Sequence, residues 1–370
     1  MKYAKKIKKH FEYLSNEEHL EKIDCSFSGL KTGARLLQGA CCHFFTGENA
    51  LPLISATAKK LNSVNFSNLL NSHQDKILLQ GELLTAFCLY KKTTGFNDCD
   101  ELIESILSLL TQNLERVLQD DHLDADNLIV KLSSVNAIYE YYEIYGDSLT
   151  SSLLDATVLR LQSCDIYSYK SYLAEYLSLC SALLRYAKTT NKTAINELIA
   201  TLFDNFLVNA QSINYESSKL FLAKTETDAS ATARSLEVAL LLYNNLQDDR
   251  YLTIAKRIWF NGMQFCQRFE GHTGTNVFAT ETTRLRVRNY YNDLATTALY
   301  GVGLKHYFLN KAFFEEQGEL SKDRRGRYFV GDKMFGFDES GFFGRDLLEI
   351  PTLTAFDKET AMQLSFRLVF

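Results

Sequence analysis

Two carboxylates two residues apart, Glu226 and Asp228, stand just before an apolar run that opens Ala-Ser-Ala-Thr-Ala-Arg. A third, Asp293, stands in the same position before Leu-Ala-Thr-Thr-Ala-Leu. Paired carboxylic acids suit glycosidic hydrolysis: one protonates the leaving oxygen while the other activates water or attacks carbon. The same residues also read as helix N-caps, worth about 1 kcal/mol each. Glu226 with Asp228 exceeds what one cap requires, so this pair is the first catalytic candidate and Asp293 the next. Between the two apolar runs lies the most polar and irregular stretch before the C-terminal tail. It carries His272, Glu281, Arg284, Arg286 and Arg288. Arginines at alternate positions put guanidiniums on one face of an extended segment, a geometry suited to a carboxylate or phosphate. Solvated charge paired with neighbouring acids is the other reading. Tyr290 and Tyr291, at the end of this stretch, offer aromatic faces to a sugar.

Other fragments of motifs are weaker. Asp120-Asp121-His122-Leu123-Asp124 matches the D-D-x-x-D pattern that holds magnesium in prenyl-diphosphate enzymes. It falls in an inter-helix loop, and no second copy follows, so Asp121 is kept as a substrate-binding candidate only. Cys41-Cys42-His43 resembles part of a metal site but lacks a second pair at ligand spacing. No phosphate-binding loop, dinucleotide fingerprint, nucleophile elbow or zinc-protease motif occurs. No metal and no cofactor are expected.

These candidates need elements to position them. Six times an apolar run ends in a polar turn and a second helical pattern follows: near Gly47, Gly95, Gly146, Asn191, Gln247 and Asn310. Each turn uses glycine, asparagine or a polar cluster, which close a helix in the left-handed conformation. Five of the first helices carry a tyrosine close to the turn: Tyr90, Tyr142, Tyr186, Tyr243 and Tyr307. The run from Ala231 to Leu246 is apolar nearly all round, broken by Arg234 and Glu237, and so is expected to be buried on every side. Tyr251 to Phe265 has one apolar face, with Lys256 and Arg257 opposite. A buried helix paired with a half-wet one, six times over, predicts an all-α double ring of six inner and six outer helices. An open solenoid is the alternative. In the ring, the inner helices run one way and their N-terminal ends gather at one mouth. Residues such as Lys31, Gln80, Glu82, Asp121, Asp228 and Asp293 then become the site candidates.

Composition agrees. Only two prolines occur, Pro52 and Pro351, so nearly 300 residues between them lack the strongest helix breaker. Ten of the 18 glycines lie at or after Gly271, and the chain after Glu319 alternates glycine with aromatics. This divides the chain into a toroid over 1–320 and a short irregular or β-rich C-terminal tail or cap over 321–370. A net charge of −5 gives no general attraction to nucleic acid or an anionic membrane. The eight cysteines form no C-x-x-C pair and sit mostly in apolar runs, as buried free thiols in a reducing compartment do. The basic N-terminus lacks the apolar core of a secretory signal, and no run is long enough to span a membrane. A cytoplasmic location is the expectation.

On these hairpins the chain resembles the six-hairpin glycosidase superfamily of (α/α)6 toroids, over roughly Ser28 to Leu309. Within it, AKRIWFNGMQFCQRFEGHTGTN followed by NYYNDLATTALYGVGLKHYF is similar to the corresponding hairpins of glycoside hydrolase family 127. That family uses a zinc-bound cysteine cluster with a cysteine nucleophile after this segment. Gly271 to Leu309 contains no cysteine, so the mechanism does not carry over. The resemblance implies a toroid with a carbohydrate-sized mouth that works, if active, through carboxylates. The expectation is an enzyme hydrolysing glycosidic bonds with Asp228 and Glu226, then Asp293, as acid/base groups. Substrate would bind through His272, Glu281, Arg284, Arg286, Tyr290, Tyr291 and Asp121. A non-catalytic toroid binding a glycan or protein partner, or a sugar isomerase or epimerase using His272, stays open beside it.

Overall fold

The computed structural model describes residues 8, 11–44, 49–64, 70–71, 75–163, 174–214, 227–252, 254–255, 276–279, 285–288, 320–322, 328–330 and 333–335. Five layers of helix follow one another. They are α1 (Phe27–Phe44) with α2 (Leu51–Asn62), α3 (Lys76–Thr94) with α4 (Asp100–Gln119), and the bent pair α5 (Ala125–Leu132) and α6 (Val135–Tyr145) with α7 (Ser148–Ser163). Then come α8 (Ala174–Thr190) with α9 (Thr193–Asn214), and α10 (Ala229–Leu246).

The first member of each hairpin forms an inner layer in which α1, α3, α6, α8 and α10 pack in succession. The second members lie outside them, each against its own partner and the next inner helix. The burial pattern gives the reason. On α3 every residue from Leu83 to Tyr90 is buried, as a helix enclosed on all sides requires. On α4 the buried residues are Ile103, Ile106, Leu107, Leu110, Thr111, Leu114 and Val117, a single stripe at helical spacing. The two breaks in the apolar run of α10 are themselves buried. Arg234 Nη1 and Glu237 Oε2 pair at 3.2 Å, one turn apart.

All four described turns close as their residues demand. Gly95 (φ 73°), Gly146 (φ 64°), Asn191 (φ 56°) and Gln247 (φ 56°) are the positive-φ residues among those described. The amides of Gly95, Gly146 and Gln247 donate to the carbonyls of Lys91, Tyr142 and Tyr243 at 2.7 to 2.8 Å. Gln247 has a Cβ and is less at ease there, but its side-chain amide covers the Asn244 carbonyl at 3.0 Å. The recurrent tyrosines tie the layers together. Tyr90 donates to Asp98 at 3.1 Å and Tyr186 to Asp155 at 2.9 Å, in each case reaching the outer side of its own hairpin or the one before. Tyr142 packs edge-on against Tyr186, 5.6 Å between centroids.

The third inner helix departs from the expectation. It is broken at Ser133 and Ser134, and α5 intervenes between the acidic loop at Asp120–Asp124 and the ring. Ser133 Oγ turns back to the Val130 carbonyl at 2.7 Å, an alternative to the helical ladder. Ser134 Oγ donates to the Ile77 carbonyl of α3 at 2.9 Å, and this contact explains Gly81. A Cβ on Gly81 would lie 2.7 Å from Ser134 Oγ and 2.8 Å from Ser134 Cβ. Gly81→Ala is therefore expected to destabilise by about 1–3 kcal/mol, although alanine is intrinsically better in a helix by about 1 kcal/mol. A melting temperature equal to or above the parent's would refute the close-approach account.

Beyond α10, β1 (Thr227–Asp228), β2 (Asn276–Ala279) and β3 (Leu285–Arg288) form an antiparallel sheet in that order. A second antiparallel sheet joins β4 (Leu320–Lys322), β5 (Tyr328–Val330) and β6 (Lys333–Phe335), in the stretch where glycine and aromatics alternate.

Candidate active site at the mouth of the ring

One cavity receives side chains from all five described inner helices. Lys31 and Arg35 come from α1, Glu82 and Thr85 from α3, and Asn136 from α6. Glu175 and Ser178 come from α8, and Arg234 from α10. In an open solenoid, residues of the first and fifth hairpins would lie far apart; here Lys31 and Arg234 share a wall. Each of these residues lies in the N-terminal half of its helix, so the five run in one direction and their N-terminal ends face one mouth. The space, partly open to solvent, is about 40 Å³, room for a few waters or one small polar group.

Ion pairs fix part of the wall and continue into the ring. Arg35 Nε meets Glu82 Oε1 at 3.0 Å, and Gln38 Nε2 donates to Glu82 Oε2 at 2.8 Å. Burial alone would push the Glu82 carboxyl up. The charges of Arg35, Arg234 and Lys31 and the Gln38 amide reverse that and hold it down at about 2. Deeper in the ring, Arg185 pairs with Glu140 and donates to Asn136 Oδ1 at 2.6 Å. Its guanidinium stacks 4.6 Å from the Tyr139 centroid. Burial would ease the proton off Arg185, but Glu140 and Glu237 more than compensate and raise its pKa. Lys92 completes the line, 3.5 Å from Glu140 and paired with Glu143, its pKa raised by both against the effect of burial.

These partners recur at the hairpin period. Arg35 and Glu82 are 47 residues apart, Arg185 and Glu140 45, Lys92 and Glu140 48. Equivalent positions of successive hairpins face each other across the inner layer, so an acid in one answers a base in the next.

Glu82 gives a pH signature. Its folded pKa of about 2 lies below its ordinary 4.5, so its contribution is fully present above pH 4.5 and disappears as pH falls from 4.5 towards 2. The expected loss over that window is roughly 3 kcal/mol. Denaturation midpoints measured against pH should show this slope in the parent, and Glu82→Gln should flatten it. An unchanged slope in the variant would remove Glu82 from the ion-pair account.

Of the sequence-derived candidates, Asp228 is at the mouth side. It ends β1 directly before α10, and six residues separate it from Arg234, roughly 9 Å of helix rise. In the sheet, Asp228 pairs with Asn276 and Asn276 with Arg288, a row of three residues of which two carry charge. Arg286 lies in the same strand, opposite Phe278. Asp121 is on the outer layer, highly exposed and 3.0 Å from Arg160 of α7; it does not line the cavity. Glu226, Asp293, His272, Glu281, Arg284, Tyr290 and Tyr291 lie outside the described residues.

Sequence reasoning missed Glu175, Ser178 and Asn136. Glu175 and Ser178 make no hydrogen bond or ion pair with described side chains, and both are half-buried. The available signal was a polar stripe at helical spacing, Glu175, Ser178, Ser181 and Arg185, along an otherwise apolar helix. Among the described residues no cluster of histidine, cysteine, aspartate and glutamate fits a metal ion, and Cys41, Cys42 and His43 are buried in α1. Burial pushes the thiols of Cys88 and Cys180 well up, as inert core cysteines require. Nor is any described helix long and apolar enough to cross a membrane.

The architecture has solved counterparts. A sugar epimerase from a ruminal bacterium matches with a TM-score of 0.54 at 13% identity, over 76% of this chain and 87% of that one. A glycosyl hydrolase family 88 protein from Bacteroides vulgatus matches with a TM-score of 0.55 at 12% identity, over 82% and 99%. No protein-family model and no curated protein matches the sequence. The likeness shows the fold, an (α/α)6 toroid, as the hairpin pattern implied.

Proposed function

We propose that this chain is a carbohydrate-active toroid enzyme that hydrolyses a glycosidic bond at the N-terminal mouth of its inner ring. The observation that carries the reading is the single cavity into which five inner helices send lysine, arginine, glutamate, serine and asparagine side chains. Fixed hydrogen-bonding groups of this kind suit the hydroxyls of a sugar. The likeness to a sugar epimerase and a family 88 glycosyl hydrolase supports the same class of ligand.

Glu82 is committed to Arg35 and held ionised, so it serves as a fixed charge and not as a proton donor. Asp228, at the rim before α10, and Glu175, uncommitted in the wall, are then the acid/base groups this reading favours, with Glu226 and Asp293 as alternates. His272, Glu281, Arg284, Arg286, Tyr290 and Tyr291 remain the proposed outer contacts to substrate, and Asp121, paired with Arg160 on the outer layer, is dropped from that set. The test is a thermal-shift screen against mono- and oligosaccharides with product analysis of every hit. A ligand that binds only the native state raises the melting temperature by mass action. Turnover of a hit is the expected result. Shift without product would make the toroid a binding module, and no shift across the panel would overturn the carbohydrate reading.

A further inference from the structure

The mouth holds more cationic character than its fixed carboxylates use. Arg35 is matched by Glu82, and Arg234 by Glu237. Lys31 is half-buried in the same wall and has only a longer-range attraction to Glu82, with no hydrogen bond to a described group. All three cations stand in the N-terminal halves of their helices, on the mouth side of the ring. Glu175 is the one carboxylate of the wall not committed to a cation, and it suits a sugar hydroxyl as acceptor. The size of the space points the same way. About 40 Å³ is too little for a sugar ring but enough for a carboxylate or phosphate head group.

We infer that the mouth takes a sugar carrying an anionic group, a carboxylate or a phosphate ester, with that group seated against Lys31 and Arg234. The inference rests on the carbohydrate reading above and narrows it. The ring of the sugar would lie outside the head-group cavity, towards Asp228 and the sheet that carries Arg286 and Arg288.

Matched ligands test it on the full chain by calorimetry: glucose, glucuronate and glucose 6-phosphate, with the corresponding galactose series. One charged member is expected to bind at least about tenfold more tightly than its neutral parent, a gap of one decade in Kd. The gap should close as salt rises from about 0.05 M to about 0.5 M, because the attraction is partly exposed. Lys31→Gln should weaken the charged ligand at least about fivefold more than the neutral one. Lys31 makes no hydrogen bond or ion pair with a described group, so the melting temperature is expected to fall by no more than a few degrees. The uronate and phosphate arms decide which head group is preferred. Equal binding of neutral and charged sugars, or no effect of Lys31→Gln, overturns the inference and leaves the carbohydrate reading standing. Silence of every sugar, neutral and charged, overturns both.

Discussion

Replacing Arg185 by methionine is expected to cost about 3–5 kcal/mol of folding stability, the range for breaking a buried ion pair from one side. The guanidinium has three engagements: the Glu140 carboxylate, the Asn136 amide oxygen at 2.6 Å and the face of Tyr139. Methionine fills much of the volume, so the loss is electrostatic. Glu140, 3% exposed, would lose its guanidinium partner while Lys92 stays at 3.5 Å, and Glu237 would lose the nearby charge of Arg185. Arg185→Lys should fall between parent and methionine, since an ammonium cannot reproduce the planar contact with both acceptors. The informative variant is the double one. Arg185→Met with Glu140→Leu removes both charges, and well-packed apolar pairs often match a buried ion pair in stability. Urea denaturation of the parent, both singles and the double gives the coupling directly. A single-variant cost below about 1 kcal/mol would mean that water reaches this pair and the ring interior is not dry.

The pair also illustrates what a sequence discloses. The hairpins were legible because their signals are local. Gly95, Gly146, Asn191 and Gln247 each end an apolar run, and each takes the left-handed conformation that such a terminus needs. The enclosed character of the inner helices was legible for the same reason: Leu83 to Tyr90 leaves no wet face. The break at Ser133 and Ser134 was not. ADNLIVKL is short, lies beside an acidic loop and joins α6 without glycine or proline, so nothing local separates a preceding helix from an approach loop. That helix moves Asp120 and Asp121 away from the inner ring to the outer layer, where Asp121 meets Arg160.

The ionic wall was half legible. Arg234 and Glu237 stood out as breaks in an apolar run, three residues apart and so neighbours on one face of the helix. Arg35 with Glu82 and Arg185 with Glu140 are invisible at helical spacing. They become visible only when charges are compared 45 to 48 residues apart, the distance between equivalent positions of neighbouring hairpins. Local periodicity predicts the helices, and the repeat period predicts which of their polar residues meet.

Asp228→Asn is expected to lower turnover of the substrate found in the sugar screen by about 10²–10⁴-fold, the usual contribution of a positioned acid or base. The substitution separates the two roles of this residue. Asp228 directly precedes the first residue of α10, the position of an N-cap. Asparagine caps a helix as well as aspartate does, so a residue that only caps would lose little in either stability or rate. A catalytic carboxylate loses its proton chemistry entirely, because an amide neither gives nor takes the proton. The melting temperature of Asp228→Asn should therefore stay within a few degrees of the parent while kcat collapses. Asp228→Ala should lose about 1 kcal/mol in addition, through the missing cap. Glu175→Gln supplies the partner measurement: loss of rate in both variants assigns an acid and a base on opposite sides of the mouth. Loss in Glu175→Gln alone would move the chemistry into the wall and leave Asp228 as the cap of α10.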